Sequence, residues 1–228
     1  MPNLTLHLLP VNFVMAKSTG RADSGTDMSI RDKINIDFFL NITLLFKAKN
    51  TTPTFEVDTL TGIEDVLDKC NPDAVILDID QTLVPFGETD IDDDISSFIR
   101  RLAQTRRFCL LSNVPRTEKR IERIHVIEEQ IGITAVFADK RKPSPVAFRS
   151  ALAFLESEPA KTLMVGDRLF TDIIGANNLG ISTILVPPIN PGTDPFLMVK
   201  LPRFFERLFL KWTRWLQNAM SSTGNARS

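Results

Sequence analysis

Two carboxylates stand one residue apart directly after an apolar run in the stretch VILDIDQTLV, which covers residues 75–84. Continued strand alternation would place Asp78 and Asp80 on the same side of the chain, beside Thr82. Two like charges at one place make each other harder to ionise, so their proximity needs a physical reason. A bound metal ion would provide that reason, and so would a reaction that uses two acids in different roles.

Further polar side chains stand at the ends of other predicted elements. They are Ser112 and Asn113, Lys142, and Asp167 with Asp172 five residues later. Ligands of a parallel sheet bind beyond the carboxyl ends of the strands, so we expect these side chains at one site. Three acids near one point suit a hard cation such as Mg²⁺, whose remaining ligands are water and substrate phosphate. A hydroxyl and an ammonium group on the same rim suit phosphate oxygens.

The elements that must position these residues alternate along residues 60–190. The predicted helices cover 62–69, 92–106, 116–131, 144–156 and 171–179, and the predicted strands cover 74–77, 107–111, 135–138, 162–165 and 182–186. Ser144 before Pro145 is typical of a helix start, and Gly132 and Gly180 are typical of helix ends. This alternation predicts an α/β fold, a three-layer α/β/α sandwich with a mostly parallel central sheet.

In this order the four polar motifs resemble those of the phosphatases of the haloacid dehalogenase (HAD) superfamily. DIDQT is similar to the D-x-D-x-T nucleophile motif, LLSN to the serine motif, the RKP stretch to the lysine motif and VGDRLFTD to the acidic motif. The resemblance implies a HAD-like Rossmannoid fold, phosphatase activity and Mg²⁺ as the cofactor.

The resemblance also implies a role for each motif residue. Asp78 would attack phosphorus and form an aspartyl-phosphate, while Asp80 would protonate the leaving oxygen and then activate the hydrolytic water. Metal ligands would be the Asp78 carboxylate, the Asp80 backbone carbonyl, Asp167 and, in a supporting role, Asp172. Phosphoryl oxygens and substrate would be held by Thr82, Ser112, Asn113 and Lys142, of which Ser112 and Lys142 are also counted as catalytic.

Three of these residues have alternatives. Asp172 could instead cap the helix that begins beside it, and Asn113 could cap the helix that follows it. Lys142 is chosen over the adjacent Lys140 and Arg141 because the proline after it matches the K-P of the lysine motif.

Other reactive side chains have structural interpretations. Cys70 and Cys109 have no metal-like spacing and are interpreted as buried free thiols, which fits a reducing compartment. His125 lies in a helix of mixed charge and is interpreted as solvated or packed. The acidic run 92–94 is interpreted as a favourable helix start.

Composition limits the class of protein. The chain has 228 residues, is 43% hydrophobic and carries a net charge of -1, so a single globular domain with extensions is expected and nucleic-acid binding is not. No apolar run reaches the roughly twenty residues of a membrane-spanning helix. The apolar segment 34–46 is too short to span but could lie at an interface or pack on the domain. The start of the chain lacks the basic front of a signal peptide.

The spacing of the motifs leaves no room for a cap domain. The interval 78–112 must hold a flap, a helix and a strand, and the interval 112–142 must hold a helix and a strand. An open site of this kind tolerates large substrates, such as a protein, a nucleic acid or a lipid head group at a bilayer surface.

Residues 201–216 predict a basic amphipathic helix. Its apolar stripe consists of Phe204, Phe205, Leu208, Phe209, Trp212, Trp215 and Leu216, and its basic flank of Arg203, Arg207, Lys211 and Arg214. Such a helix is typical of an interfacial membrane anchor that contacts phospholipid head groups. The alternative is that the stripe packs on the domain or on a second subunit.

The stretch GDRLFTDIIGANNLG, followed by STILVPPI and the aromatic, basic tail, is similar to the YqeG-type group of capless HAD phosphatases (subfamily IIIA). That group includes mitochondrial and plastid phosphatidylglycerophosphate phosphatases. The resemblance covers roughly residues 60–215 and implies removal of the terminal phosphate from phosphatidylglycerophosphate. It further implies a peripheral membrane protein on a cytoplasmic, plastid stromal or mitochondrial matrix face.

The sequence is also consistent with two other functions. The chain could be a soluble capless phosphatase of a phosphoprotein, a nucleotide or a nucleic-acid end, or a membrane-associated scaffold without turnover. Residues 1–59 are expected to form an extension that is partly flexible or membrane-proximal, 60–190 the phosphatase domain, and 191–228 the amphipathic helix and tail. The oligomeric state is not predicted.

Overall fold

The structure of the protein, a computed structural model, describes residues 51–113 and 117–224. Within these ranges the side chains of 197, 198, 214 and 216–224 are not described. The apolar segment 34–46 and most of the predicted N-terminal extension lie outside the described residues.

Five parallel strands form the central sheet. They are β1 (Phe55–Glu56), β2 (Ala74–Leu77), β3 (Arg107–Leu110), β4 (Thr162–Gly166) and β5 (Ser182–Leu185), in the order β1-β5-β4-β2-β3. Leu77 at the end of β2 is in register with Leu110 on one side and Val165 on the other. The carboxyl ends of the three strands that precede the polar motifs therefore lie side by side.

Helices cover both faces of this sheet. They are α1 (Ile63–Cys70), α2 (Asp93–Leu102), α3 (Glu118–Ile131), α4 (Pro145–Phe154), α5 (Ile174–Asn177) and the tail helix α6 (Leu201–Gly224). The sheet face that carries Val75 and Leu77 packs against α1, α2 and α3, and the face that carries Ala74 and Ile76 packs against α4 and α5. Because helices cover both faces, the side chains on both sides of each central strand are apolar and buried. The predicted α/β/α sandwich is confirmed.

Several helix ends follow the predicted local chemistry. Asp92 caps α2 by accepting hydrogen bonds from the backbone N–H groups of Asp94 and Ile95. Ser144 caps α4 at the Val146 N–H, with proline at the first helical position. Gly132 ends α3 in the left-handed conformation that favours glycine.

Other elements differ from the predictions. The predicted strand 135–138 is a single bridge between Leu110 and Ala135, and the Ala135 N–H donates to the Glu128 carboxylate. Strand β1 has only two residues, too few for an alternation pattern to reveal it. The predicted helix 171–179 begins earlier, as a π-helical turn over Leu169–Ile173 that continues into the short α5. Cys109 is buried, but Cys70 is exposed, contrary to the prediction for both thiols.

The described chain contains no inserted domain between its motifs. From Asp78 to Ser112 it holds a flap, α2 and β3, and the described residues from Ser112 to Lys142 hold α3 and the single bridge. Within the described ranges, every helix is too short or too polar to cross a bilayer.

Candidate active site

Three acids meet at the carboxyl edge of the sheet. Asp78 follows β2 and donates its N–H to Val165 O, Asp167 follows β4, and Asp172 lies in the π-helical turn. All three side chains are buried, and one carboxylate oxygen from each lies within 4.8 Å of the others. The strand register and the π-helical turn thus bring Asp78 together with Asp167 and Asp172, which lie 89 and 94 positions later in the sequence.

Lys142 lies in the middle of this acidic cluster. Its Nζ is 2.6 Å from Asp78 Oδ1 and 2.8 Å from Asp172 Oδ1, and the side chain is buried. The adjacent Lys140 and Arg141 are exposed, so the selection of Lys142 from the three cations agrees with the geometry. A buried ammonium group between two carboxylates forms charge-assisted hydrogen bonds and keeps its proton.

Asn113 holds the backbone of Lys142 rather than capping a helix. Its Nδ2 donates to Lys142 O at 2.8 Å, and its Oδ1 accepts from Lys142 N at 2.6 Å. The cap position of α3 belongs to Thr117. The amide of Asn113 is therefore used to place the lysine.

Asp172 faces the site, and its alternative role as a helix cap is wrong. A capping side chain accepts from N–H groups two or three residues later, whereas Asp172 Oδ2 accepts from Arg168 N, four residues earlier. A Cβ atom at Gly166 would lie only 2.5 Å from Asp172 Oδ2. The glycine before Asp167 is thus required because Asp172 occupies the space that a side chain would need.

The carboxylate of Asp80 points away from the acidic cluster, so the expected strand alternation is wrong at this point. Strand β2 ends at Leu77, and Gln81 has a left-handed φ of 67°. Asp80 Oδ1 accepts from the Gly87 N–H at 3.0 Å and pairs with Arg123 at 2.7 Å. The side chain of Asp80 therefore faces the flap and is free of the positions that a metal ion would fill.

Arg123 was not singled out in the sequence. It lies on α3 and donates through Nε to Glu88 O at 2.9 Å as well as to Asp80. Arginines on the polar side of a helix are common, and nothing local in the sequence distinguishes this one.

Two hydroxyl groups near the strand ends match the predicted phosphate ligands in type. Thr82 is buried, and its Oγ1 has no hydrogen-bond partner among the described residues. Ser112 is half-buried, two residues beyond the end of β3. A buried donor without a partner is costly unless a ligand satisfies it, so Thr82 Oγ1 is suited to a bound oxygen atom.

Burial dominates the electrostatics of the acids. Burial raises the pKa of Asp78 to about 8, with Asp172 and Asp167 adding to the rise while Lys142 opposes it. Burial likewise raises the pKa of Asp167 to about 7, opposed by Arg203. Burial alone would lower the pKa of Lys142, but the carboxylates of Asp172 and Asp78 hold it above its ordinary value. Lys142 and Arg203 therefore do not fully offset the burial and mutual repulsion of these acids.

The charges around the site can be counted. When all are ionised, the five buried carboxylates around the site outnumber the three cations beside them by two. The carboxylates are those of Asp78, Asp167, Asp172, Asp194 and Glu206, and the cations are Lys142, Arg168 and Arg203. A divalent cation would neutralise the two excess negative charges. Because all the candidate ligands are oxygen atoms, and Asp167 Oδ1 has no hydrogen-bond partner among the described residues, the site fits Mg²⁺ better than a softer metal.

The tail helix packs on the domain beside these acids, through a face that the sequence did not indicate. Arg203, predicted on the basic flank of this helix, is buried and lies 2.7 Å from Asp167 Oδ2. Glu206 is also buried and pairs with Arg168 at 3.1 Å. A helical wheel separates polar from apolar residues, so it cannot show that a polar residue is buried against charges distant in sequence.

The aromatic stripe of the tail helix is mostly exposed. Phe204, Phe205, Leu208, Trp212 and Trp215 expose between 43% and 64% of their surface. Phe209 is the exception, because it packs with Leu210 against the apolar residues of the π-helical turn. The helix thus contacts the domain, as one alternative expected, but most of its aromatic side chains face away. The side chains of Arg214 and Leu216 lie outside the described part.

Comparison with known proteins gives matches of different extent. Residues 140–188, which contain Lys142, Asp167 and Asp172, match the HAD-hydrolase-like family. The chain is 28% identical over 141 residues to "Probable phosphatase YqeG" of Bacillus subtilis, covering 61% of this chain and 77% of that protein. It is 32% identical over 88 residues to the chloroplastic/mitochondrial phosphatidylglycerophosphate phosphatase 1 of Arabidopsis thaliana, covering 39% of this chain but only 25% of that protein.

One solved structure gives a weaker match. A Listeria monocytogenes protein superposes with a TM-score of 0.42 at 22% identity, covering 60% of this chain and 98% of that one. The sequence matches, taken with the four motifs in order on a parallel sheet, confirm the predicted kinship with the HAD-superfamily phosphatases.

Proposed function

We propose that this HAD-type phosphatase is an Mg²⁺-dependent phosphomonoester hydrolase that removes the terminal phosphate from phosphatidylglycerophosphate at a membrane surface. The observation that supports the chemistry is the buried cluster of Asp78, Asp167 and Asp172 around Lys142. Asp78 lies at a strand end and is oriented by the Lys142 ammonium group, so its carboxylate is suited to attack a phosphoryl group.

Asp78 acts as the nucleophile in this proposal. Its carboxylate forms a bond to phosphorus as the bond between phosphorus and the leaving oxygen breaks, which gives an aspartyl-phosphate. Lys142 Nζ, already 2.6 Å from Asp78 Oδ1, keeps the nucleophile oriented and its charge balanced. Ser112 and Thr82 donate to the phosphoryl oxygens together with Lys142, while Asn113 places the lysine.

Asp80 transfers the protons. In the first step its carboxyl gives a proton to the leaving oxygen, and in the second its carboxylate takes a proton from the water that attacks the aspartyl-phosphate. Arg123 and the Gly87 N–H hold this side chain at the flap, apart from the acidic cluster. The two acids that stand one residue apart therefore need not compete for one position.

The candidate metal ligands are the side chains of Asp78, Asp167 and Asp172 and the backbone carbonyl of Asp80. When bound, Mg²⁺ would neutralise the excess negative charge of these acids and of the phosphoryl oxygens. These candidate ligands from the described part of the chain are all oxygen atoms, which is the donor set that Mg²⁺ prefers.

The exposed aromatic face of α6 supports a lipid substrate. Because Arg203 and Glu206 attach the opposite face of the helix beside the acidic cluster, the aromatic side chains stand on the outside of the domain close in sequence to these contacts. Exposed tryptophans flanked by Arg207 and Lys211, both exposed, are suited to an anionic bilayer surface. The protein would be peripheral, on a cytoplasmic, stromal or matrix face, and the name of the Arabidopsis relative agrees with the phosphatidylglycerophosphate head group.

A substrate panel tests this proposal. Phosphate release is measured with Mg²⁺ from phosphatidylglycerophosphate in liposomes, nucleotides, phosphopeptides and small phosphate esters, with Asp78→Asn as the inactive control. The expected result is a kcat/KM for the lipid at least about tenfold above the others, a barrier difference of about 1.4 kcal/mol. A preference for a soluble substrate would favour a soluble phosphatase, and no release from any substrate would favour a scaffold.

Liposome co-sedimentation tests the membrane part separately. Replacing both Trp212 and Trp215 with alanine is expected to reduce binding to vesicles that contain phosphatidylglycerol, because the two exposed rings supply apolar area at the interface. Hydrolysis of a small soluble ester by this variant should be unchanged. Vesicle binding equal to that of the unaltered protein would contradict the membrane role of the helix.

A further inference from the structure

We infer that the segment from Asp194 to Glu206 is part of the metal site and that Arg203 is a positioning residue for Asp167. The inference deepens the proposed function, since it rests on Asp167 serving as a metal ligand. It assigns to a tail residue the task of orienting an acid that lies 36 positions earlier in the chain.

Arg203 contacts Asp167 through more than charge. Its guanidinium lies 2.7 Å from Asp167 Oδ2 and donates through Nη1 to the backbone Asp167 O at 3.4 Å. The side chain is only 7% exposed, so water cannot replace these contacts easily. The contact to Oδ2 is an ion pair, and among the described residues neither carboxylate oxygen of Asp167 has a hydrogen-bond partner. The guanidinium is therefore on the Oδ2 side of the carboxylate, and Oδ1 stays open to a ligand.

Asp194 connects this arginine to the nucleophile loop. Its Oδ2 accepts from Arg203 Nε at 3.2 Å, and its Oδ1 accepts from Gln81 Nε2 at 2.7 Å. Gln81 stands between Asp80 and Thr82, and it also exchanges hydrogen bonds with the backbone of Asn190. A buried polar path therefore runs from the nucleophile loop through Asp194 and Arg203 to Asp167.

Glu206 strengthens the same attachment one helical turn later. It pairs with Arg168 at 3.1 Å and accepts from the backbone N–H of Phe170 at 3.4 Å. Arg203 and Glu206 are three residues apart and lie on one face of α6. Adjacent residues of the acidic loop, Asp167 and Arg168, are thus held by residues of opposite charge on one helix.

The geometry of Arg203 indicates that it orients the Asp167 carboxylate and does not only neutralise its charge. A single cation would balance Asp167 from any nearby position, but the planar guanidinium contacts Asp167 and Asp194 at the same time. Residues that orient a metal ligand change metal affinity by about 10–100-fold when they are replaced. A lysine at 203 would keep the charge and lose the two-sided contact.

The exposed aromatic face of α6 and its contacts to the acidic loop come from the same stretch of chain. Phe204 and Phe205 of the exposed face lie between Arg203 and Glu206 in the sequence. Truncation before residue 201 would therefore remove the aromatic face and disturb the acidic loop together. Point substitutions of the exposed tryptophans separate the two effects.

Mg²⁺ binding to the full chain, without substrate, tests the inference. Affinity is measured by isothermal titration calorimetry for the unaltered protein, Arg203→Lys and Asp194→Asn, with Arg149→Lys as the control because Arg149 is exposed on α4. We expect Arg203→Lys and Asp194→Asn each to bind Mg²⁺ about 10–100-fold more weakly. The double variant should lose little more than either single variant, because both changes break one path.

Equal or tighter Mg²⁺ binding by Arg203→Lys would overturn the inference, since it would mean that only the charge of Arg203 matters or that Arg203 competes with the metal for Asp167. Unfolding of each variant in EDTA shows whether the fold is retained, and Asp194→Asn decides if Arg203→Lys does not fold. Because the measurement uses no substrate, its outcome is independent of the lipid preference. If the unaltered protein binds Mg²⁺ but shows no preference for the lipid in the substrate panel, that result counts against the proposed substrate alone.

Discussion

Lys142 Nζ lies 2.6 Å from Asp78 Oδ1, and both side chains are buried at the carboxyl edge of the sheet. The same ammonium group is 2.8 Å from Asp172, so one cation joins the nucleophile loop to the π-helical turn after β4. Its position is fixed in turn by the two hydrogen bonds between the Lys142 backbone and Asn113. Motifs from four parts of the chain thus converge on one charged group.

Replacing Lys142 with methionine should destabilise the protein strongly. The change leaves two buried carboxylates without their cation, which typically costs about 3–5 kcal/mol of unfolding free energy. Urea unfolding in EDTA measures the loss, and Lys140→Met is the control because Lys140 is exposed. A loss equal to that of the control would contradict the ion-pair geometry. Phosphate release should also be abolished, since the phosphoryl group loses its ammonium donor.

The stability of the metal-free protein should fall as the pH rises through the neutral range. In the unfolded chain the carboxyls of Asp78 and Asp167 titrate near 3.8, whereas burial raises their pKa values in the folded protein to about 8 and about 7. Between these limits the folded state holds protons that the unfolded state has released, so unfolding is favoured by rising pH. Below about pH 4 the effect is absent, and above about pH 8 it is complete.

Thermal unfolding in EDTA across pH 5 to pH 8.5 checks this expectation. The difference between the unaltered protein and Asp78→Asn isolates the contribution of Asp78, and the variant should gain relative stability as the pH rises. Saturating Mg²⁺ should reduce the fall, because the metal stabilises the ionised acids and releases their protons. A difference between the two proteins that does not change with pH would contradict the raised pKa.

Replacing Gly166 with alanine should disturb the site although alanine is small. Its Cβ would lie 2.5 Å from Asp172 Oδ2, closer than non-bonded atoms approach, so Asp172 must move away from Lys142. We expect phosphate release to fall by about 10²-fold or more, since misplaced catalytic groups cost this much. If the close contact is the cause, adding Asp172→Gly, which removes the Oδ2, Cγ and Cβ atoms at 2.5, 2.6 and 2.7 Å, should recover part of the thermal stability without restoring activity. No loss of activity in Gly166→Ala would show that Asp172 can shift without effect.

The sequence predicted the parts of the site that depend on local pattern. Strand ends, the helix start at Ser144 and the helix end at Gly132 have short-range signatures, and parallel strands bring their carboxyl ends together whatever the details of packing. Lys142 was selected because a proline follows it, and it is the buried member of three adjacent cations.

The parts that the sequence did not predict depend on contacts between distant residues. Arg203 was predicted on the basic flank of the tail helix because its partners, Asp167 and Asp194, are adjacent to it only in the folded protein. The carboxylate of Asp80 was expected beside that of Asp78 because alternation was continued past Leu77, where the strand ends. Strand β1 has two residues, which are too few to show an alternating pattern, and it is defined by its pairing with β5.

Arg123 should matter most for substrates with poor leaving groups. It holds Asp80 at 2.7 Å, and Asp80 is the group proposed to protonate the leaving oxygen. General acid catalysis contributes about 10²–10⁴-fold where the leaving group needs a proton. A nitrophenolate leaves without protonation, whereas an alkoxide such as that of glycerol does not. Arg123→Met should therefore lower kcat/KM, which covers the steps up to release of the leaving group, by about 10²-fold for alkyl phosphates and by much less for nitrophenyl phosphate.

The ratio of the two kcat/KM values is the informative measurement, because general damage to the site would lower both equally. These values exclude the hydrolysis of the aspartyl-phosphate, in which Asp80 acts in the same way for both substrates. Arg120→Met provides the control, since Arg120 is exposed on the same helix one turn earlier. Arg123→Lys keeps the charge but lacks the planar fork that reaches Asp80 and Glu88 O together, so it should restore the alkyl phosphate reaction only in part. An equal loss for both classes of substrate in Arg123→Met would show that Arg123 supports the flap as a whole and does not act through Asp80.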